Sequence, residues 1–476
     1  MAQPVRTRFA PSPTGSLHVG SIRTALFAWL VARHSNGQFI LRIEDTDRAR
    51  HVEAAENHII ESLKALGLDY DEGPDVGGPF APYRQSERLE IYQRWAKKLI
   101  DAGRAYADPY TPEQVDAFRE QAHARKQPFL FRNHRPDDLP KWGGTTPLRF
   151  KSEPKAYHWH DEVMGDLQAG PEVIDDFIII KSDGYPTYNF AHIVDDAEME
   201  VSYIIRGQEF IASLPNYLNA YEALELTPPL MATMPHVLGA DGTKKLSKRD
   251  GAKDVLEYIK DGYIPDALVN FIASLGWNDG TEQEVFSREE LINKFSLARV
   301  GRSGARFDER RLLWMNGQYI RQLSLDQLAE KVKDFWPAEA AESTADYRKQ
   351  VLALIQERLK YFGELPELTR FFFTDLPINP KLWQDHPQLQ KLTSPELKQF
   401  LEQSRNNLEQ SDFNVGDLTE RLNGLLGQTQ QKPVVLFSLI RIATTQAPAS
   451  PGLADTLATL GKTTSLRRLD DMIKSL

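Results

Sequence analysis

Two stretches of this sequence, far apart in the chain, hold groups suited to phosphate chemistry. In the first, Pro11, Pro13 and Gly15 hold a tight loop, and His18, Val19 and Gly20 lead from it into a helix that includes Ser21. The free amides and positive dipole end of such a helix make a phosphate cradle without a P-loop sequence. Gly20 leaves room for a nucleotide close to the backbone, and His18 can donate a hydrogen bond to a phosphate oxygen. In the second, Gly239 to Gly242 precede Thr243, Lys244, Lys245, Leu246, Ser247, Lys248 and Arg249, a loop dense in cations. Lysines there can neutralise charge that builds on a pyrophosphate leaving group. Taken singly, a Pro-rich turn before a core helix accounts for the first stretch and a solvated basic turn for the second. Their pairing points to one nucleotide site split across the chain.

Periodicity supplies the elements that must hold these groups. Val5 to Phe9 reads as a strand, Ile22, Ala25, Leu26, Trp29 and Leu30 recur at helical spacing, Asn36 and Gly37 stop the helix, and Phe39 to Ile43 reads as a second strand. Strand, helix, strand implies a parallel α/β unit, whose ligands collect at the carboxyl ends of the strands. That places Arg8 to Ser21 and Arg42 to Asp47 around one crevice. Gly and Pro crowd Asp71 to Pro82, and the α/β rhythm lapses until Asp176 to Ile180 and Val201 to Ile205, so an insertion lies between. Beyond Asp241 the pattern turns helical. Ser324 with Gln327 forms a capping box before Leu325, Leu328, Val332 and Phe335, and Ser394 with Pro395 opens another helix.

Bulk properties bound the reading. A chain of 476 residues exceeds what one core serves and suggests roughly three to five structural units. The mean hydropathy of -0.46 and the lack of a long apolar run argue against membrane spans, and no secretory signal is read at the start. Absence of cysteine removes disulfides, thiolate metal sites and cysteine nucleophiles. His158 and His160 have strand spacing but no evident third ligand, and read as a structural pair. A net charge of -10 means that any nucleic-acid contact uses local patches. One candidate patch interleaves Arg125, Lys126, Arg132 and Arg135 with Phe129 and Phe131, a pattern suited to phosphates and stacked bases, with a solvated charged loop as the alternative.

Pro11 to Ser21 resembles the HIGH signature, and Lys245 to Arg249 the KMSKS signature, of class I aminoacyl-tRNA synthetases. The runs RFAPSPTG (Arg8 to Gly15), RIEDTD (Arg42 to Asp47), YRQSER (Tyr83 to Arg88), SDGYPTY (Ser182 to Tyr188) and WMN (Trp314 to Asn316) resemble the bacterial-type glutamyl-tRNA synthetases. The resemblance implies a multidomain α/β plus α protein. Its Rossmann-like class I catalytic domain would occupy 1–82 and 181–240, interrupted by an acceptor-stem-binding domain at 83–180. A stem-contact domain with the KLSKR loop would follow at 241–322, then all-helical anticodon-binding domains at 323–376 and 377–476.

The implied reaction joins L-glutamate to ATP, with Mg2+, as glutamyl-adenylate, releases pyrophosphate, and passes glutamate to the terminal adenosine of tRNA(Glu). A non-discriminating form that also charges tRNA(Gln) is the closest rival. A glutaminyl-tRNA synthetase fits less well, since that branch carries β-barrel anticodon domains. From other classes, a non-catalytic RNA-binding relative conflicts with intact Lys245 and Lys248. By motif match, His18, Lys245 and Lys248 are the catalytic residues. ATP is assigned to Ser12, His18, Gly20, Glu209, Leu238, Lys245 and Lys248, and glutamate to Arg8, Ala10, Ser12, Glu44, Tyr188, His192 and Arg206. Ser21 stands where a second histidine is common in the class, and Gln446 where many members have glycine. Some members carry a cysteine zinc cluster in the insertion, so no zinc is expected here. A monomer in the cytoplasm, free of membrane, completes the implied picture.

Overall fold

The structure, a computed structural model, describes residues 4–15, 17–47, 52–246 and 253–476. Its strands are β1 (Arg6–Phe9), β2 (Gln38–Leu41), β3 (Ala105–Ala107), β4 (Leu148–Phe150), β5 (Tyr157–Asp161), β6 (Gly165–Ala169), β7 (Ile178–Ile180), β8 (Tyr203–Gly207), β9 (Leu230–Met234), β10 (Val237–Leu238) and β11 (Ala305–Arg306). Four helices matter for the site: α1 (Val19–His34), α2 (Leu89–Asp101), α3 (Tyr188–Glu198) and α4 (Pro265–Ala273). The chain divides into two compact units, Met1–Ile259 with Pro265–Glu309, and Lys260–Ile264 with Arg310–Leu476.

In the first unit a six-stranded sheet runs β2-β1-β8-β9-β5-β6. β1 lies parallel to both β2 and β8, β9 is parallel to β8 and β5, and β6 alone returns antiparallel. α1 is the crossover between β1 and β2. Its interior is apolar nearly all round, with Ile22, Leu26, Phe27, Leu30 and Ala32 fully buried, as a helix enclosed by protein must be. Ser35 caps its end, Asn36 turns left-handed at φ 50°, and Gly37 passes under β1, where the Gln38 amide donates to the Val5 carbonyl at 2.8 Å.

The insertion contributes to two sheets. β3, β4 and β7 form a separate antiparallel sheet, whereas β5 and β6 extend the main one through β9. Fully buried Asp161 fastens that junction: its carboxylate accepts from the amides of Val163, Met164 and Thr233 and from the Thr233 hydroxyl at 2.6 Å. One core runs through both sheets, joining Ile40, Tyr92, Phe150, Ile180, Phe190 and Ile204. This explains why two compact units appear where length suggested more. The strand read from Asp176 begins only at Ile178, because the Asp176 carboxylate is used by Tyr106, Arg135 and Ser152.

The second unit is helical, with a core drawn from Trp383, Leu401, Leu422, Leu439, Leu457 and Leu469 among others. The capping box at Ser324 is present, but its helix ends at Lys331, so Phe335 lies beyond it. In the helix Ser394–Glu409 the capping residue is Thr393, whose hydroxyl accepts the Glu396 amide, and Ser394 takes the first helical position. Gln446 ends the helix Pro433–Thr445 at φ 49°, a conformation that glycine adopts without strain. Here the side chain compensates: its amide nitrogen donates to the Ile442 carbonyl and its oxygen accepts the Asn379 amide.

A methyl group at Gly37 would stand 2.1 Å from the Val5 carbonyl oxygen, directly on the β1–β2 register. Gly37→Ala is expected to cost about 1–3 kcal/mol or more and to lower the melting temperature of the first unit by several degrees. Gly424→Ala, at a helical position with open space around it, should instead stabilise by up to about 1 kcal/mol. Differential scanning calorimetry of the two variants beside the parent checks both signs.

Candidate functional site

A cavity of about 540 Å³ opens at the carboxyl ends of β1 and β8. Of the residues singled out in the sequence, Arg8, Ala10, Ser12, His18, Glu44, Tyr188, Arg206 and Glu209 line it. Gly20, His192, Leu238 and Lys245 do not, and Lys248 lies outside the described residues. Phe210, Thr24 and the backbone of Gly207 also line the cavity and carried no signal in the sequence.

The floor is a buried ionic cluster. Arg8 grips Asp196 with two donors, Nε to Oδ1 at 3.1 Å and Nη2 to Oδ2 at 3.3 Å. Fully buried Arg42 also donates to Asp196, at 2.7 Å, and to Glu44 at 2.9 Å. The arginines Arg8 and Arg42 hold the Asp196 carboxyl well below the usual carboxylate range despite burial, whereas burial moves Glu44 upward against the pull of Arg42 and Arg8. The acid partner of Arg8 is Asp196 from α3, whereas Asp45 accepts from Ser86.

Arg206 is different. It is 6% exposed, its Nη1 has no hydrogen-bond partner, and its Nη2 meets only the Met231 thioether at 3.9 Å. Its charge rests over the rings of Phe210 and Tyr217, each 5.5 Å from the guanidinium carbon. Arg8 and Arg42 are thus ion-paired with Asp196 and Glu44, whereas Arg206, at the cavity wall, has no ion pair among the described residues. A buried guanidinium without a directly paired acid is costly, so this wall suits an anionic group of a ligand.

His18 is the N-cap of α1. Its Nδ1 accepts from the Ser21 amide at 3.3 Å, and its Nε2 lies 3.3 Å from the Ser21 hydroxyl. With Nδ1 accepting, a proton on Nε2 can be donated to the Ser21 hydroxyl or to a phosphate oxygen. A Cβ at Gly20 would lie 3.2 Å from His18 Nδ1, so this glycine makes room for the imidazole. Lys245 sits on a hairpin that folds back on β10. Leu238 and Lys245 bridge, the Leu246 amide donates to the Val237 carbonyl, and the Gly239 amide to the Lys244 carbonyl. Leu238 thus serves the hairpin, and its carbonyl accepts from Phe307 beside β11.

His192 is buried behind Tyr188, stacked on that ring at 4.9 Å and edge-on to Tyr217 at 4.5 Å, with Nδ1 donating to the Tyr188 carbonyl. Burial pushes its imidazole down to about 3. In the candidate nucleic-acid patch, Arg135 is spent on Asp176, Arg132 on the Pro171 carbonyl, and Phe131 is buried under Arg149. Exposed Arg125 and Lys126, after the helix Pro112–Ala124, remain as its outward cations. His160 pairs with Asp166 at 2.7 Å across the β5–β6 hairpin. Among the described residues no three His, Asp or Glu side chains are arranged to hold a metal ion, and no helix is long and apolar enough to cross a membrane.

Residues 4–314 match the family described as tRNA synthetases class I (E and Q), catalytic domain, and residues 327–473 match an anticodon binding domain. A glutamate–tRNA ligase of Dehalococcoides mccartyi is 42% identical over 98% of this chain and 97% of its own. One from Clostridium botulinum is 40% identical over the full length of both. The crystal structure of a glutamate tRNA ligase from Elizabethkingia meningosepticum, in complex with its amino acid, superimposes with a TM-score of 0.86 at 31% identity, covering 100% of both chains.

The buried state of His192 has a signed consequence. Its folded pKa lies below the unfolded value of about 6.5, so below pH 6.5 the unfolded chain takes up a proton that the folded one refuses. Stability therefore falls as pH drops from about 6.5 towards 3, by up to about 1.4 kcal/mol per pH unit. His192→Asn should flatten the dependence of urea-unfolding free energy on pH by one proton between pH 4 and 6, above the range where Asp196 titrates. Equal slopes in both proteins would refute a neutral buried His192.

Proposed function

The chain belongs to the class I tRNA synthetases of the glutamate and glutamine group, and from that premise we propose that it is a glutamate–tRNA ligase. The observation that carries this reading is Arg206, a buried guanidinium at the cavity wall without a directly paired acid. L-glutamate has two carboxylates, and one of them supplies that partner. Arg206 and Arg8 take its carboxylates, Glu44 its ammonium, and Tyr188 adds a hydrogen bond, while Ala10 and Ser12 form the adjoining wall. Glutamine would leave Arg206 unmatched, and sites built around such a pair reject the uncharged isostere strongly.

ATP binds next to it, against Ser12, His18, Gly20 and Glu209, with Leu238 and Lys245 of the hairpin and Lys248 as its further partners. A glutamate carboxylate oxygen attacks the α-phosphorus, a new P–O bond forms, and the bond to the β-phosphate oxygen breaks to release pyrophosphate. His18, Lys245 and Lys248 stabilise the charge that builds on the phosphates. A hydroxyl of the terminal ribose of tRNA(Glu) then attacks the acyl carbon and AMP departs. No enzyme nucleophile is needed. Mg2+ accompanying ATP would add to the neutralisation of phosphate charge that His18, Lys245 and Lys248 provide.

The same reading assigns 1–82 and 181–240 to catalysis, 83–180 to the acceptor stem, 241–322 to stem contact, and 323–376 and 377–476 to the anticodon. It makes the protein a cytoplasmic monomer. Charging of separately purified tRNA(Glu) and tRNA(Gln) decides the range of tRNA partners, and equal rates would establish the non-discriminating form.

Glutamate-dependent exchange of labelled pyrophosphate into ATP, run with and without tRNA, tests the activity, and its absence under both conditions would sink the reading. Arg206→Ala should lower kcat/KM for glutamate by about 10²–10³-fold, as expected for removing one partner of a buried charge pair, and leave KM for ATP within about threefold. A variant that exchanges with unchanged glutamate kinetics would remove Arg206 from the carboxylate site.

A further inference from the structure

Arg23 is one of the most enclosed charges in the first unit, and the chemistry above does not use it. It lies one turn into α1 beyond His18, is 4% exposed, and does not line the cavity, although Ser21 and Thr24 on either side do. Its guanidinium donates through Nη1 to the Leu275 carbonyl at 3.1 Å and through Nη2 to the Pro235 carbonyl, while Nε is buried without a partner. These are neutral acceptors, and burial holds the group down at about 10 against the pull of the nearby Glu209 carboxylate. For packing alone an apolar side chain would serve that place at lower cost.

What the fork spans gives the cation its use. Pro235 lies two residues before β10, the strand on which the Lys245 hairpin folds back. Leu275 follows α4 and connects through Gly276, whose carbonyl accepts the Gly301 amide, to the segment entering β11. β11 is in turn the parallel partner of β10, with Val237 opposite Ala305 and Leu238 opposite Arg306. Arg23 therefore ties the helix begun by His18 to both chain segments that feed the two-stranded ribbon behind Lys245.

We infer that Arg23 is a positioning residue for the ATP half of the reaction: its fork sets where the Lys245 hairpin stands relative to the His18 end of α1. This rests on reading the cavity as the site where glutamate meets ATP. The glutamate pocket hangs on the separate Arg8, Arg42 and Asp196 cluster, so loss of the fork acts on one substrate and spares the other.

Arg23→Gln and Arg23→Lys test this. Lysine keeps a cation that can donate to both carbonyls, and it carries the experiment if the glutamine variant folds poorly. In the pyrophosphate exchange assay Arg23→Gln is expected to lower kcat/KM for ATP by about 10- to 100-fold, the scale of small misplacements of catalytic groups, with KM for glutamate within about twofold and the lysine variant between. Hydrogen exchange of the free proteins should show the amides of Gly239 and Leu246 opening faster in Arg23→Gln while those of β1 and β2 keep parental rates. Parallel losses for ATP and glutamate, or a lowered melting temperature with unchanged ATP kinetics and unchanged hairpin exchange, would overturn the assignment. If the parent itself shows no exchange of pyrophosphate, the ATP reading falls, and the positional clamp is then decided by hydrogen exchange alone.

Discussion

The carboxylate of Asp196 is the point on which the rest of the pocket depends. It is fully buried, and two guanidinium groups from neighbouring strands, Arg8 at the end of β1 and Arg42 just past β2, close on it. Without it, Arg8 would lose its ion-pair partner and Arg42 would keep Glu44 and the more distant Asp195, and removing one partner from such a cluster costs several kcal/mol. Its neighbour Asp195 faces the other way and accepts from Gln85, Arg88 and Tyr92, where the insertion begins. Adjacent acids at the end of α3 thus fix both the first two strands and the root of α2.

This arrangement also gives the pocket a means of telling ligands apart by charge. Arg42 is neutralised from within and holds shape, Arg8 shares the Asp196 carboxylate with it at the cavity wall, and Arg206 reaches the cavity without an acid of its own. Aromatic faces, the rings of Phe210 and Tyr217, provide a surface on which an unmatched cation is tolerable.

Much of this was legible in the sequence, and the parts that were not share a cause. The β1–α1–β2 unit follows from local alternation, helical spacing and the Asn36–Gly37 stop, all of which act within a few residues. Ser324 with Gln327 is legible for the same reason. Asp196 is 188 residues from Arg8, inside a helix whose other buried positions are mostly apolar, and nothing local marks it as their counter-ion. Arg132, Arg135 and Phe131 looked free because their partners, Pro171, Asp176 and Arg149, come from later strands and turns. The place of β5 and β6 in the main sheet was hidden within the insertion, since β5 joins β9 only where Asp161 meets Thr233, and β6 follows by pairing with β5. His18 was read as a phosphate donor from its type and place, and its second task, capping its own helix, needed the backbone geometry.

The order of the main sheet has a bearing on how the protein is made. β1 leaves the ribosome early, yet its second neighbour, β8, begins at Tyr203, and the amide of Arg6 waits for the hydroxyl of Ser202, 196 residues later. At about 5–20 residues per second the interval is roughly 10–40 s, long compared with the microseconds in which a strand edge can find a wrong partner. Until then one side of β1 is an open edge on a nascent chain, close to identical edges on neighbouring ribosomes of the same message. Translation speed between the codons for β2 and β8 therefore sets how long that edge stays open, a quantity to which the finished pocket is indifferent.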